Sequence, residues 1–317
     1  MNTSNRIISF IIPAFNEEKN IANTIASINR HVPPNITYEI IVIDHISSDN
    51  TKKLAEENGA VVLTKSAKTV AELRNYGAAY SSGEIFIFLD ADVRLTEQWN
   101  HHITNVIERI NSGEKLLTGS WVSVPDNKKW IEKYWFEPQQ RKTNTHINSG
   151  HMILSRQIFS DLGGFNGKLE TGEDYDISMR AKQQKINVIE NHNLKVIHEG
   201  YPRTLIDFIK REYWHGKGDA LSLGIMLKSK VALLALLILT LHIIMLLDII
   251  FLKNYILIII CIITITSICI LSSFTKFKNE TKKIILINAA LYYVYFLARG
   301  ASLLNALFTK KIKKRQR

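Results

Sequence analysis

Two long apolar runs limit what this chain can fold into. Val231–Leu252 has His242 and Asp248 as its strongly polar residues, and Tyr255–Phe274 contains no charged residue. As a helix, each run is about 30 Å long, which is enough to cross the hydrocarbon core of a bilayer. Because only the pair Lys253-Asn254 separates the two runs, the sequence predicts a hairpin of two membrane-spanning helices.

The excess of basic residues lies beside these runs. Residues 1–228 contain 27 Lys and Arg and 27 Asp and Glu, whereas residues 229–317 contain 13 and 2, which accounts for the net charge of +11. Lys and Arg concentrate on the cytoplasmic flanks of membrane spans, whereas a nucleic-acid-binding domain carries its positive excess on the folded domain. The sequence therefore predicts a cytoplasmic domain at 1–228, a membrane region at 229–317 and no nucleic-acid partner. Both cysteines lie in the second run, which fits a reducing compartment for the first domain.

A third apolar stretch, 284–308, carries polar residues at steps of three or four. They are Asn288, Tyr292, Tyr295, Arg299 and Ser302. One polar stripe along a helix is typical of a helix lying at a membrane surface. If the stretch spanned instead, the basic tail 309–317 would lie outside, against the positive-inside rule. We therefore predict spans at about 231–252 and 255–274 followed by a surface helix, with a third span as the alternative.

The first domain alternates between strand-like and helix-like segments. The strands are predicted at Ile7–Ile12, Glu39–Ile43, Ala60–Leu63, Glu84–Leu89 and Val188–Ile197. The helices are predicted at Glu17–Ile28, Ser48–Asn58, Val70–Tyr80, Tyr175–Lys185 and 204–216. This alternation predicts an α/β fold with a mostly parallel sheet and helices on both faces. Ligands of such sheets bind at the carboxyl ends of the strands.

Acidic residues stand at those ends. Asp90-Ala91-Asp92 follows a strand, and its two carboxylates could bind a hard cation such as Mg²⁺ or Mn²⁺ or could be solvated turn residues. Asp44 ends another strand and could accept a hydrogen bond from a nucleobase, while the Ser and Asp residues after it could be helix caps. Glu173-Asp174 begins a helix, where acids favour the helix dipole, but a carboxylate there could also take a proton from an attacking hydroxyl.

Several motifs follow one another in a fixed order. They are Pro13-Ala-Phe-Asn-Glu17, Asp44-His-Ile-Ser-Ser-Asp-Asn-Thr51, Arg74-Asn75-x-Gly77 leading to Asp90-Ala-Asp92, Gly163-Gly-Phe165 and Glu173-Asp174. This order and spacing closely resemble glycosyltransferase family 2, in its membrane-anchored bacterial or archaeal form, over roughly residues 6–218. The resemblance implies a GT-A nucleotide-sugar-binding fold followed by transmembrane helices. It also implies an inverting reaction with a nucleotide-diphosphate sugar.

The resemblance also implies roles for individual residues. The nucleotide-sugar pocket would be lined by Pro13, Ala14, Asn16, Glu17, Asp44, Arg74, Asp90 and Ala91. Asp92 would ligate Mg²⁺ or Mn²⁺, and His198 would be a further ligand, because families of this fold often use a late histidine; a structural role is the alternative for His198. Asp174 would be the general base, with Glu173 orienting the acceptor or donor. The metal would stabilise the leaving diphosphate.

At two places the sequence differs from motifs of known members of the family, and these differences limit the kind of sugar transfer that it predicts. Processive synthases carry Gln-x-x-Arg-Trp where this chain has Lys210-Arg-Glu-Tyr-Trp214-His-Gly-Lys217, so a single, non-processive addition is predicted. Four residues there could contact the diphosphate or acceptor, or could pack at the membrane surface: Arg211, Trp214, His215 and Lys217. Polyprenyl-phosphate sugar synthases usually have Gln soon after the Asp-x-Asp, where this chain has Val93-Arg94, and they remain the alternative function.

The sequence thus predicts a hexosyl- or N-acetylhexosaminyltransferase of the cell (inner) membrane that serves cell-envelope glycan biosynthesis. The expected acceptor is a lipid carrier, a glycolipid or a lipid-linked glycan. A catalytically silent membrane scaffold that binds a nucleotide sugar is the alternative from another class. We also expect the aromatic segment Trp121–Phe136 to contact the acceptor or the membrane, with packing in the core as the alternative.

Overall fold

The structure is a computed structural model that describes residues 7–120, 122–141, 146–220 and 223–315. Its strands are β1 (Ile8–Ala14), β2 (Tyr38–Asp44), β3 (Val61–Thr64), β4 (Ile85–Leu89), β5 (Val93–Leu95), β6 (Leu116–Gly119), β7 (Val122–Ser123), β8 (His151–Ser155), β9 (Asn187–Glu190) and β10 (Val196–His198). Its α-helices are α1 (Ile21–His31), α2 (Thr51–Glu57), α3 (Val70–Tyr80), α4 (Glu97–Asn111), α5 (Arg156–Asp161), α6 (Glu173–Gln183), α7 (Leu205–Asp219), α8 (Leu223–Lys228), α9 (Lys230–Leu247), α10 (Tyr255–Lys276) and α11 (Lys282–Arg315).

Seven strands form the central sheet, in the order β3-β2-β1-β4-β8-β6-β9. The first four are mutually parallel, and β8 runs antiparallel to both of its neighbours. Adjacent residues of β1 point to opposite faces: Phe10 packs against Trp99 of α4, whereas Ile11 contacts the position of Gly77 in α3. Helices therefore cover both faces of the sheet, which explains why β1 and β4 are buried along their whole length. The predicted α/β class and mostly parallel sheet are confirmed.

The strand order creates a crevice at one edge of the sheet. β1 lies between β2 and β4, so the chain leaves β1 toward one side of the sheet and later returns on its other side. At such a switch point the loops after neighbouring strands diverge and leave room for a ligand. Here those loops begin after Ala14 of β1 and after Leu89 of β4.

The predicted late strand 188–197 is wrong as a single element. It is divided into β9, which joins the large sheet, and β10, which lies in a second sheet of order β5-β10-β7. The break is a turn in which the amide of Asn193 donates to the side-chain oxygen of Asn191, at 3.1 Å. Asparagine favours such turns because its side chain competes with the strand ladder for backbone groups. As a result His198 pairs in register with Val93, next to Asp92.

The chain divides into two compact units. The first comprises Met1–Asp126 and Lys142–Tyr201, and the second comprises Asn127–Arg141 and Pro202–Arg317. The segment 127–141 thus leaves the first unit, forms a π-helical turn at Glu132–Phe136 and a 3-10 turn at Glu137–Arg141, and belongs to the second unit. The two units are defined by contacts between residues and not by contact with a membrane. The predicted boundary at residue 228 between a cytoplasmic domain and a membrane region therefore stays a prediction.

Among the described residues, three helices of the second unit are long and apolar enough to cross a membrane, by length and composition. They are Lys230–Leu252, which ends in a π-helical turn, Tyr255–Lys276 and Lys282–Ala306, the first part of α11. Both segments of the predicted hairpin, 231–252 and 255–274, are helical, as expected. The third helix meets the same criteria at lower mean hydropathy, 1.5 compared with 2.7 for each of the others.

The polar stripe of α11 packs against protein. Asn288 donates to the carbonyl of Tyr134 at 2.8 Å, the rings of Tyr292 and Tyr295 contact that of Trp135, and Arg299 pairs with acids of α7. The reason for predicting a surface helix, a stripe facing water, was therefore wrong, because long-range packing accounts for the stripe. The number of spans itself stays a prediction.

The aromatic segment 121–136 has mixed surroundings. Trp121 lies outside the described residues. Trp135 and Phe136 are buried within the second unit, where Trp135 contacts Phe208 and Phe277 as well as the α11 tyrosines. These two rings are therefore core residues of that unit, and the expected contact with an acceptor or membrane is wrong for them.

Candidate active site

Two carboxylates and an imidazole converge beside the crevice. Asp90 and Asp92 follow β4, and His198 ends β10; each offers one ligand atom, and these atoms lie within 4.8 Å of one another. The Nε2 atom of His198 lies 3.3 Å from the Oδ1 atom of Asp92. The pairing of β10 with β5 brings the histidine to this place across more than a hundred residues of sequence.

Two glycines allow these acids to lie against the backbone. A Cβ atom on Gly200 would lie 1.8 Å from Oδ2 of Asp92, and one on Gly150 would lie 2.6 Å from Oδ2 of Asp90. Both distances are shorter than any Cβ contact, so a side chain at either position would displace a carboxylate. Glycine at these positions is therefore part of what shapes the site.

The site concentrates negative charge. Burial raises the pKa of Asp92, and the neighbouring Asp90 raises it further while His198 opposes the shift. Burial, followed by the charge of Asp92, raises the pKa of Glu17 to about 7.

Nδ1 of His198 is buried and has no hydrogen-bond partner among the described residues. Clustered carboxylates with a neighbouring imidazole are a donor set that suits Mn²⁺ or Mg²⁺, so the residues present fit a divalent cation.

Arg74 joins this cluster to the second acidic motif. Its guanidinium is buried and donates from Nη2 to Oδ1 of Asp90 at 2.6 Å and from Nη1 to Oε1 of Glu173 at 2.9 Å. The hydroxyl of Ser149 donates to the same Glu173 oxygen at 2.9 Å. Arg74 thus contacts the site by hydrogen bonds to Asp90 and Glu173. Its predicted contact with the nucleotide-sugar donor stays a prediction.

Glu173 and Asp174 differ in their surroundings. The side chain of Glu173 is 9% exposed and is occupied by Arg74 and Ser149, whereas that of Asp174 is 16% exposed and lies 3.9 Å from Nε2 of His146. Burial raises the pKa of Asp174, and the adjacent Glu173 raises it further. The left-handed Gly172 (φ 83°) caps α6 and places both acids in its first turn.

The loops after β1 and β2 are tied together. Asn16 has φ 55°, and its side-chain oxygen accepts from the amide of Ser48 at 2.9 Å. The buried Asp44 accepts from the amide of Ser47, and the amide of Glu17 donates to Thr51 at 2.7 Å. The remaining predicted pocket residues, Pro13, Ala14 and Ala91, are buried at the strand ends. These residues therefore lie at the ends of β1, β2 and β4 or in the loops that follow them, and their individual roles stay predictions.

The four residues predicted on α7 belong to the second unit. Arg211 pairs with Glu212 at 2.9 Å and lies over the ring of Phe136, and Trp214 contacts the ring of His215. Burial, and then the charges of Arg211 and Arg299, lower the pKa of His215 to about 3. Lys217 is exposed. Their predicted contacts with a diphosphate or acceptor stay predictions.

Sequence reasoning missed four residues that shape the site: His146, Ser149, Gly150 and Gly200. The run Asn148-Ser-Gly150, immediately before the buried strand β8, was a usable signal, as was a glycine two residues after His198. His146 carried no such signal, because its partner lies 28 positions further along the chain and only folding brings the two together.

Comparison with known proteins places the chain among sugar-transferring enzymes. Residues 9–163 match the sequence family described as Glycosyl transferase family 2. Glycosyltransferase AglE of Haloferax volcanii is 25% identical over 231 residues, which cover 69% of this chain and 75% of AglE. The Escherichia coli protein named UDP-Glc:alpha-D-GlcNAc-diphosphoundecaprenol beta-1,3-glucosyltransferase WfgD is 32% identical over 207 residues, covering 62% of this chain and 74% of WfgD.

Solved structures show the same fold at low sequence identity. The mannosyltransferase PcManGT from Pyrobaculum calidifontis, in complex with GDP-Man and Mn²⁺, superposes with a TM-score of 0.57 at 14% identity, covering 94% of this chain and 87% of that one. GalNAc-T7 with UDP, GalNAc and Mn²⁺ has a TM-score of 0.51 at 20% identity and covers 68% of this chain. The chain spans about half the length of GalNAc-T7, 51%.

Proposed function

Because this chain belongs to glycosyltransferase family 2, we propose that it transfers one sugar from a nucleotide-diphosphate donor to a membrane-associated acceptor. It has the GT-A fold, and it is a glycosyltransferase that uses a nucleotide-sugar donor. The observation that carries the finer proposal is that Arg74 joins two acidic motifs: Asp90-Ala-Asp92, which lies with His198, and Glu173-Asp174.

The donor side lies in the loops after β1 and β2. Asp44 is positioned by the amide of Ser47 and can accept from a nucleobase, while the Asn16–Ser48 bond fixes the two loops as one wall of the pocket. Asp92 and His198 would hold a divalent cation, Mn²⁺ or Mg²⁺, with Asp90 beside them. When bound, the cation supplies positive charge for the leaving diphosphate.

Asp174 is the general base in this proposal. It is the carboxylate that Arg74 does not bind, and it lies next to Glu173, which Arg74 joins to Asp90. In an inverting transfer it accepts the proton of the acceptor hydroxyl while the oxygen attacks the anomeric carbon. Glu173, held by Arg74 and Ser149, keeps the first turn of α6 in place and orients the reacting groups.

The acceptor is proposed to be a lipid-linked glycan, a glycolipid or a lipid carrier. The supporting features are the three helices that are long and apolar enough to cross a membrane and the name of WfgD, which specifies a diphosphoundecaprenol-linked sugar as the acceptor of that protein. Single addition is favoured because the processive signature is absent from the sequence.

Asp174→Asn is expected to lower transfer by about a hundredfold to ten-thousandfold, because the amide cannot accept the hydroxyl proton. The full-length protein in membranes would be supplied with UDP-glucose, UDP-N-acetylglucosamine or GDP-mannose, and with lipid extract and Mn²⁺. The readouts are radiolabelled lipid product and released nucleoside diphosphate. Asp161→Asn, an exposed acid at the end of α5, is the matched control and should keep wild-type activity. Full activity of the Asp174→Asn protein would exclude this base.

We also propose that the first unit and the basic tail face the cytoplasm, with two spans. Lys314→Cys should then react with a membrane-impermeant maleimide from the cytoplasmic side. Asn254→Cys, in the link between the first two helices, is the control and should react from the outside. Labelling of Lys314→Cys from the outside alone would establish three spans.

A further inference from the structure

Asp174 lies beside a histidine that none of the sequence motifs contains. Nε2 of His146 is 3.9 Å from Oδ2 of Asp174, and the two side chains are 29% and 16% exposed. The other oxygen, Oδ1, accepts from the backbone amide of Tyr175 at 2.7 Å. The imidazole ring meets the half-exposed ring of Tyr175 edge-on, with 5.7 Å between centroids. His146 therefore lies within ion-pair distance of the carboxylate and in ring contact with Tyr175.

The charged groups around Asp174 act in opposite directions. Glu173, on the same helix, is an adjacent negative charge, although Arg74 of α3 and Ser149 hold its carboxylate. Arg74 lies behind Glu173 and acts on Asp174 from a greater distance. His146 belongs to the chain before β8 and faces Asp174 directly. Among the described residues it is the basic side chain within ion-pair distance of this carboxylate.

The surroundings of Asp174 work against the ionised state that a general base needs. To accept a proton, Asp174 must be ionised, yet burial raises its pKa and the charge of Glu173 raises it further. An opposite charge within a few ångströms favours the ionised carboxylate. His146 is the group placed to provide it.

We propose that His146 is a positioning residue that, as the imidazolium, holds the Asp174 carboxylate ionised and oriented toward the acceptor hydroxyl. This inference rests on the proposed function, in which Asp174 is the base. No bond to substrate is assigned to His146. In the transfer step the hydroxyl proton moves to Asp174, the acceptor oxygen bonds to the anomeric carbon, and the nucleoside diphosphate leaves with the electron pair of the broken bond.

The sign of the pH effect follows from this arrangement. His146 lowers the pKa of Asp174, so its removal raises that pKa, and a larger fraction of the base is protonated at any acidic pH. The acidic limb of the kcat/KM profile reports the essential base of the free enzyme. Without the imidazolium, this limb should move to higher pH.

The test compares His146→Gln with His146→Lys in the full-length membrane-embedded protein. In His146→Gln the acidic limb should move up by about one pH unit, the lower end of the effect of a neighbouring opposite charge. Well below that limb, kcat/KM should be about tenfold lower than in the wild type at the same pH. In His146→Lys, which carries a positive charge, the limb should return toward its wild-type position. Tyr175→Phe keeps the ring beside His146 and is the control expected to leave the limb in place.

Each outcome bears on one of the two proposals. An unchanged limb in His146→Gln, or the same shift in His146→Gln and His146→Lys, would overturn the role of His146 while leaving Asp174 as the base. Full transfer by Asp174→Asn would instead remove the proposed base. A thermal melt of each variant separates loss of fold from loss of charge. His146→Asn, with a smaller side chain at this partly exposed position, provides the same comparison if the glutamine variant does not fold.

Discussion

Asp92→Asn is expected to reduce sugar transfer by about a thousandfold, because a neutral amide is a much weaker ligand for a hard divalent cation than a carboxylate. The same change should leave the metal-free protein at least as stable as the wild type. Burial and the charge of Asp90 already raise the pKa of Asp92, so the substitution removes one of two neighbouring negative charges. Activity and stability should therefore change in opposite directions.

This prediction is checked by three measurements on one preparation. Transfer is followed with a radiolabelled donor, Mn²⁺ binding by calorimetry in the presence of UDP or GDP, and thermal unfolding in the absence of metal. Asp161→Asn should match the wild type in all three. Binding of Mn²⁺ by Asp92→Asn with wild-type affinity would show that Asp92 is not a ligand.

Arg299→Met is expected to destabilise the second unit by about 3 kcal/mol, the lower end of the cost of breaking a buried ion pair, because Asp219 loses its arginine and Glu212 keeps only Arg211. Arg299 donates from Nε and Nη2 to Oε2 of Glu212 and from Nη1 to Asp219, and the side chain of Glu212 is 3% exposed. A Cβ on Gly216 would lie 2.7 Å from Cβ of Ser302, so α7 and α11 are in close contact and leave little room for water to replace the arginine.

The control is another Arg→Met change at an exposed pair. Arg109 pairs with Glu114 at 2.7 Å, but both side chains are about one-third exposed, at 35% and 31%. Arg109→Met should cost about 1 kcal/mol or less, as surface pairs do. Denaturant titration in detergent would measure both, together with the double variant Arg299→Met, Glu212→Gln, which should recover part of the loss. Equal costs for Arg299→Met and Arg109→Met would contradict a buried network.

Local pattern was enough for much of the first unit. The run Val70–Tyr80 is helical at the residues that its sequence predicts, and the strand before Asp90 ends one residue before that acid. Apolar strands alternating with helices leave few arrangements other than a mostly parallel sheet, so the placement of Asp44, Asp90 and Asp92 at strand ends followed from periodicity.

Periodicity was misleading where a short turn competes with a strand. The residues from 188 to 197 read as one extended run, but the Asn191–Asn193 turn sends the chain from one sheet to another. That change of sheet is what brings His198 to Asp92. The resemblance in motif order suggested that His198 lies near Asp92. The backbone path that brings them together depends on the second sheet, in which β10 pairs with β5.

The two apolar runs by themselves determined that this chain has helices able to cross a membrane, because length and apolar composition are local properties. The order of the motifs, through its resemblance to glycosyltransferase family 2, likewise indicated the class of enzyme. The partner of the polar stripe was decided by tertiary structure: Asn288 meets Tyr134 across 154 positions and Arg299 meets Glu212 across 87. Tertiary structure also separated Glu173, held by Arg74, from Asp174, which faces His146. Both residues carry a carboxylate at neighbouring positions of the sequence, and the groups that folding places around each of them distinguish Glu173, held by Arg74, from Asp174, the proposed base.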